Sequence, residues 1–352
     1  MANEPINLFE PNLMTTGIGS LPLVDPDEAA RYVLDADLSA PFWPQLPKRA
    51  FVEQMVPQYA EGVPCVRLDR EGKSVRFDTS DKDEELQTFY ERFLEEEPDR
   101  FAVSEQFAPG FYALERLITS RRPSFLKGQV TGPITFATSI KGAQDETLYS
   151  DPELRDVAVK ALTRKAEWQI DRLSPLAGDG VILFVDEPVL AAYGSSAYVG
   201  ILAENVHEIE GEIFEAVHER GAISGIHVCG NCDWGMIVGT GVKVINFDAY
   251  QYGESISLYP EEVAAYLARG GCIAWGIVPT TEAIHEENAE SLTRRLEGHM
   301  NAVVAKGIDT DLLRRRSILT PSCGAGSLGT AEARRVFELL RETRAILHGS
   351  AS

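Results

Sequence analysis

The sequence predicts an α/β fold: a single (β/α)8 TIM barrel with elaborated βα loops, one domain over residues 1–352. Three observations lead there. Short β-branched or apolar runs alternate with long amphipathic segments from end to end; eight such runs can be counted; and no repeat, linker or low-complexity tract marks a domain boundary. At 352 residues the chain exceeds the roughly 250 of a plain barrel, which leaves length for long loops.

The first strand is expected at Met14 to Gly19, before a helix over Pro26 to Leu34 that Asp25 caps and Pro26 opens. The second is expected at Val63 to Leu68. The preceding Ala40 to Pro64, rich in Pro and aromatics, reads as a loop over the barrel mouth, as does part of Arg100 to Phe111 after a helix over Asp83 to Glu96. The third strand, Ser124 to Val130, leads to a long helix over Pro152 to Leu173 with Asp151 as cap, and the fourth, Val181 to Asp186, to a helix over Glu204 to Arg220. Ala222 to Val228 and Val242 to Phe247 are the fifth and sixth, followed by a helix over Pro260 to Arg269. Cys272 to Ile277 precedes a helix over Glu286 to Ala305, and Ser317 to Thr320 precedes the last helix, Ala331 to Leu347, with Thr330 at its start. Gly221, Gly270 and Gly307 stand where helices need a left-handed closing residue.

Composition removes several classes of function. Lys and Arg number 33 against 54 Asp and Glu, a net charge of −21, which disfavours nucleic acid and anionic membrane surfaces as partners. No apolar run approaches the roughly 20 residues that span a bilayer, and Met1 to Pro11 lacks a basic-then-apolar leader, so the expected location is the cytoplasm. Five cysteines are an odd number for a disulfide framework, so reduced thiols or metal ligands are the better readings.

In such barrels the chemistry sits at the C-terminal ends of the strands. His227 and Cys229, two residues apart on one strand, share a face, and imidazole and thiolate are preferred zinc ligands. Cys323 at the end of the last strand and Asp248 at the end of the sixth complete a candidate tetrahedral set. Cys232 makes a C-x-x-C with Cys229 but falls in the loop beyond the strand, and Cys65 and Cys272 sit inside apolar strands where packing explains them. Zinc there would hold a substrate thiol as thiolate, which suits thiol alkylation. Asp186 and Glu187 offer two carboxylates for an amino group or for catalysis; for Glu187, capping or orienting a loop is an equal alternative.

Thr16-Gly17-Ile18-Gly19-Ser20, Lys127-Gly128 through Pro133, Val185-Asp186-Glu187-Pro188, Ile226-His227-Val228-Cys229, Ile245-Asn246-Phe247-Asp248 and Cys323-Gly324 together resemble, in order over nearly the whole chain, the C-terminal catalytic barrel of cobalamin-independent methionine synthase. The resemblance implies zinc on His227, Cys229, Asp248 and Cys323. It implies homocysteine bound through its sulfur, its carboxylate near Ile18, Gly19 and Ser20, its ammonium near Asp186, with Asp69 as a second acidic contact.

The chain departs from that family in three ways. Asp248 stands where a Glu is usual. Trp275 to Pro279 carries no counterpart of the family's acid histidine. The folate platform and N-terminal barrel of the long enzymes have no equivalent here. The expected methyl donor is therefore methylcobalamin or a methyl-corrinoid carrier protein, not methyl-folate. Related barrels supply the alternatives: methyl transfer to another thiol such as coenzyme M, or a metal-free decarboxylase of the uroporphyrinogen type; a closed structural zinc in a binding module is the non-enzymatic alternative.

Overall fold

The computed structural model describes residues 9–95, 97–118, 122–198 and 200–349. Glu96, the expected end of one helix, and residues 1–8 lie outside them.

Seven parallel strands form one curled sheet in the order β1 (Met14–Thr15), β9 (Ser317–Pro321), β8 (Cys272–Val278), β7 (Val244–Phe247), β6 (Ile223–Val228), β5 (Gly180–Asp186), β4 (Phe125–Thr131). The remaining two, β2 (Val66–Asp69) and β3 (Ser74–Phe77), make a separate antiparallel hairpin. Helices surround the sheet, and the architecture is a TIM-barrel-like (β/α)8 fold, as the alternating pattern predicts.

The second strand is where sequence and structure part. Val63 to Leu68 does not enter the wall; its second half becomes part of β2, paired with β3 from Val66↔Phe77 to Asp69↔Ser74. The gap between β1 and β4 is bridged instead by Ala40–Phe42, taken for loop. The Ala40 N–H donates to the Thr15 carbonyl at 3.0 Å and the Lys127 N–H to the Pro41 carbonyl at 2.8 Å, both in parallel bridges. Three residues suffice because Pro41 has no N–H to offer a longer ladder. Ala40 packs inside the barrel with Met14, Ile182, Phe184, Val244, Cys272, Ala274 and Ile318, an apolar plug that includes the packing role expected of Cys272.

The period of two along each strand stacks the interior in layers. Above Ile182 on β5 come Phe184 and then Asp186; above Val244 on β7 comes Asn246; above Ile318 on β9 comes Thr320; and His227 stands level with Asp186 in the β5–β6 register. An apolar floor thus carries a polar layer that opens into the mouth. Outside, the expected helices form close to their predicted bounds: Asp25 caps Pro26–Asp35 through the Glu28 N–H, and Asp151 caps Pro152–Leu173 through the N–H groups of Glu153 and Leu154. No helix among the described residues is long and apolar enough to cross a membrane.

Candidate metal centre in the barrel mouth

A cavity of about 300 Å³ opens at the C-terminal end of the sheet, lined by Ile18, Ser20, Asp186, His227, Cys229 and Cys323 together with residues of the segment after Ala40–Phe42, among them Gln45, Glu53 and Met55. His227, Cys229 and Cys323 each point one donor atom at a common centre, all within 4.8 Å of one another.

The imidazole of His227 is held in one orientation by Asn246. The Asn246 Nδ2 donates to the Ala274 carbonyl at 2.9 Å and to Thr320 Oγ1 at 2.8 Å. A carbonyl only accepts, so the amide orientation is fixed and its Oδ1 faces His227 Nδ1 at 2.5 Å. Nδ1 must carry the proton, and Nε2 presents a lone pair; it is buried with no hydrogen-bond partner among the described residues. Burial holds the imidazole down to about 4, opposed by the Asn246 bond, so it stays neutral, as a metal ligand must. A hydrogen bond from the Cys323 thiol lowers Cys229 to about 7 against the effect of burial, and the same contact, with burial, pushes Cys323 up. The donor set fits a borderline metal such as zinc with a position left open.

Asp186 ends β5 in the cavity wall. Its Oδ1 is buried and unpartnered among the described residues. Burial raises its carboxyl to about 7, with the nearby Lys127 ammonium opposing and Cys229 and Glu187 adding to the rise. Glu53, which no pattern in the sequence marks, also lines the cavity: its Oε1 pairs with Arg49 Nη1 at 2.7 Å while Oε2 is buried and unpartnered among the described residues. Its segment carries no strand or helix pattern long enough to announce it.

Three expected site residues are not among those lining the cavity or forming the donor cluster. Asp69 is exposed in the β2–β3 hairpin, where its Oδ1 accepts from the N–H groups of Glu71 and Gly72 in an Asx-type turn; the acid brought to the cavity is Glu53. Glu187 is fully buried behind the wall: Oε1 accepts from the Ile134 N–H, and Oε2 from the Thr135 N–H and Oγ1, so its carboxylate caps the helix Pro133–Ser139. That is the loop-orienting alternative, with Glu210 against it, its carboxyl held well above the usual range by burial and by the Glu187 charge. Asp248 caps the short helix Ala249–Tyr252, its two oxygens taken by the Gln251 N–H at 3.0 Å and Nε2 at 2.9 Å; it is near enough to raise Cys229 but stands outside the three-donor cluster. Cys232 is buried, pushed up to about 12, and also outside the cluster.

Ile18 and Ser20 line the cavity and Gly19 lies between them. Gly19 takes φ +155°, and a Cβ there would sit 2.6 Å from Gln45 Oε1, so only glycine fits.

No family model and no curated protein matches this sequence. Among solved structures, the chain is similar to a B12-independent methionine synthase from Shewanella sp. W3-18-1, determined in complex with selenomethionine, with a TM-score of 0.62 over 96% of this chain and 98% of that one at 15% identity. A 3-keto-D-glucoside 4-epimerase from E. coli matches at TM-score 0.35 and 12% identity, covering 66% of this chain and 84% of that one. The first likeness shows a shared methionine-synthase-like barrel fold. It lends nothing to the expected corrinoid donor, since that neighbour is B12-independent.

Proposed function

We propose that the barrel mouth is the active site of an S-methyltransferase that methylates the thiol of homocysteine to give methionine, with zinc held by His227, Cys229 and Cys323. The observation that carries the reading is the three-donor cluster with an unpartnered His227 Nε2, opening on a cavity that also holds two unpartnered acidic oxygens. Zinc in that donor set lowers the pKa of a thiol from its usual value near 8.5 and keeps it nucleophilic at neutral pH.

The chain's own residues fix the rest of the acceptor. Asp186 Oδ1 and Glu53 Oε2 take the ammonium group, which returns to these buried oxygens the hydrogen bonds they lack. The Ile18–Ser20 backbone takes the carboxylate. Held at both ends, the acceptor has one direction left for its thiol, and alignment is the larger part of the protein's contribution. The paired acids favour an amine-bearing acceptor over coenzyme M, and among the described residues no Lys or Arg lines the cavity to receive the carboxylates of a porphyrinogen.

The corrinoid donor rests on the sequence alone, and the B12-independent neighbour speaks against it. One assay tests both halves: methyl transfer to homocysteine with methylcobalamin and with methyl-tetrahydrofolate side by side. Transfer lost in Cys323→Ser, with zinc lost in parallel, is the expected result. Zinc below about half an equivalent in the native protein, with activity intact in Cys323→Ser, overturns the reading. Transfer from methyl-tetrahydrofolate but not methylcobalamin overturns the donor alone.

A further inference from the structure

Lys127 is the third residue of β4 and fully buried beneath the mouth. Its Nζ donates to the Ile18 carbonyl and, at 3.1 Å, to Gln129 Oε1, and it lies 4.7 Å from the centroid of the Phe184 ring. Among the described residues no carboxylate forms an ion pair with it, although Asp186 is close enough to feel its charge. A buried ammonium without a bonded counter-ion is costly, and such arrangements mark sites where the charge is used.

What it holds is the acceptor loop. In a trans peptide the carbonyl and the next N–H point to opposite sides, so drawing the Ile18 carbonyl down to Lys127 turns the Gly19 N–H away from it. The N–H groups of Ile18, Gly19 and Ser20 donate no hydrogen bond to any described residue, while the Gly19 carbonyl is tied down by the Gln45 N–H at 3.0 Å. Ile18 and Ser20 line the cavity, and amides left free there beside a buried cation can receive an anion.

We propose that Lys127 is a positioning residue that makes the acceptor site select a thiol bearing a carboxylate, by fixing the Ile18–Ser20 peptides and placing positive charge beneath them. This rests on the homocysteine reading above and names the group that sets its selectivity. A residue that merely plugs the barrel would affect every acceptor alike.

The test compares homocysteine with 3-aminopropane-1-thiol, which has the amine and thiol but no carboxylate, on the full zinc-loaded chain. Lys127→Met should raise KM for homocysteine by about ten- to a hundredfold, the scale of one or two charge-assisted hydrogen bonds, and change KM for the aminothiol by less than about twofold. Lys127→Gln, which keeps a donor for the Ile18 carbonyl but not the charge, serves if the Met variant does not fold and should show a smaller split in the same direction. Equal losses on both acceptors, no loss on either, or a native protein indifferent to the carboxylate overturns this inference alone. A native protein that methylates neither acceptor overturns the S-methyltransferase reading and this inference with it.

Discussion

Replacing Asn246 by leucine isolates what prepares His227 for a metal. The side chain is fully buried and makes three hydrogen bonds: it accepts from His227 Nδ1 and donates to the Ala274 carbonyl and Thr320 Oγ1. Leucine fills a similar volume with no polar atom, so the His227 N–H is left buried and unpaired, at about 1–3 kcal/mol, while the Ala274 carbonyl stays in the ladder between the two strands and Thr320 can rotate. The metal-free protein should therefore lose roughly 1–3 kcal/mol of stability. Zinc affinity should fall in addition, because the imidazole is free to adopt the other tautomer and turn; loss of such an outer partner weakens binding by about 10–100-fold, or about 1.4–2.7 kcal/mol. Thermal melts of the metal-free protein read the first quantity, and competition against a chromophoric chelator reads the second. A folded Asn246→Leu protein with native zinc affinity would refute the argument that Asn246 sets the tautomer.

Other perturbations separate wall from site. Glu187→Gln leaves one of the Ile134 or Thr135 donors facing an amide N–H, so stability should fall by about 1–3 kcal/mol in a chemical melt while KM for homocysteine stays within about twofold; a large KM effect returns Glu187 to the catalytic machinery. Burial, and then the Glu187 charge, raise the Glu210 carboxyl well above its ordinary value. The folded state thus binds a proton that the unfolded state releases, so stability is greatest below the unfolded pKa and declines as pH rises; Glu210→Gln should melt higher than native protein at alkaline pH and lose that slope, and parallel pH profiles would contradict it. Ala40→Pro removes the N–H that binds the Thr15 carbonyl and should destabilise by about 1–3 kcal/mol; an unchanged melt would mean that Ala40–Phe42 is not part of the wall.

The strands that were legible carry their signal locally. β4 to β9 are apolar runs because parallel strands are covered on both faces, and each is bounded by turn residues or a helix cap. The second wall position has no such signal: three residues, one of them proline, held from both sides by β1 and β4, read as loop by any local criterion. Val66–Asp69 is extended as expected, but its burial alternates between half-buried and exposed, the pattern of a hairpin with one covered face and not of a barrel wall. The same difference carries Asp69 out to the hairpin turn, while Glu53, in a segment that reads as loop, lines the cavity.

Within the site, the residues found from sequence are those whose spacing is enforced by a strand. His227 and Cys229 share a face because the period is two, and Asp186 is inward because it follows Ile182 and Phe184 on the same parity. Glu187, one residue later, must face outward by the same rule, and the structure puts it there, behind the wall on a helix N-terminus. Lys127 and Asn246 were legible as motif residues but not as partners, because their roles lie in contacts to Ile18, Ala274 and Thr320, far away in sequence.

Asp248 decides what kind of centre this is. With Asp248 as a fourth ligand the site is closed and structural; with His227, Cys229 and Cys323 alone it keeps a position for an incoming thiol. The structure commits both Asp248 oxygens to Gln251, one of them as a helix N-cap, and such a cap contributes only about 1 kcal/mol, so a metal could recruit the carboxylate at small cost. Against recruitment stands its charge beside Cys229, which disfavours the thiolate that must bind. Asp248→Asn separates the two: asparagine keeps an oxygen for the Gln251 N–H but is a far poorer ligand. If the centre has three protein ligands, zinc affinity should stay within about threefold of native, and X-ray absorption of the zinc-loaded variant should show one added sulfur when homocysteine binds. A fall beyond about tenfold, of the size expected when a direct carboxylate ligand is lost, would make Asp248 the fourth ligand and the thiol-activation reading would then require it to leave.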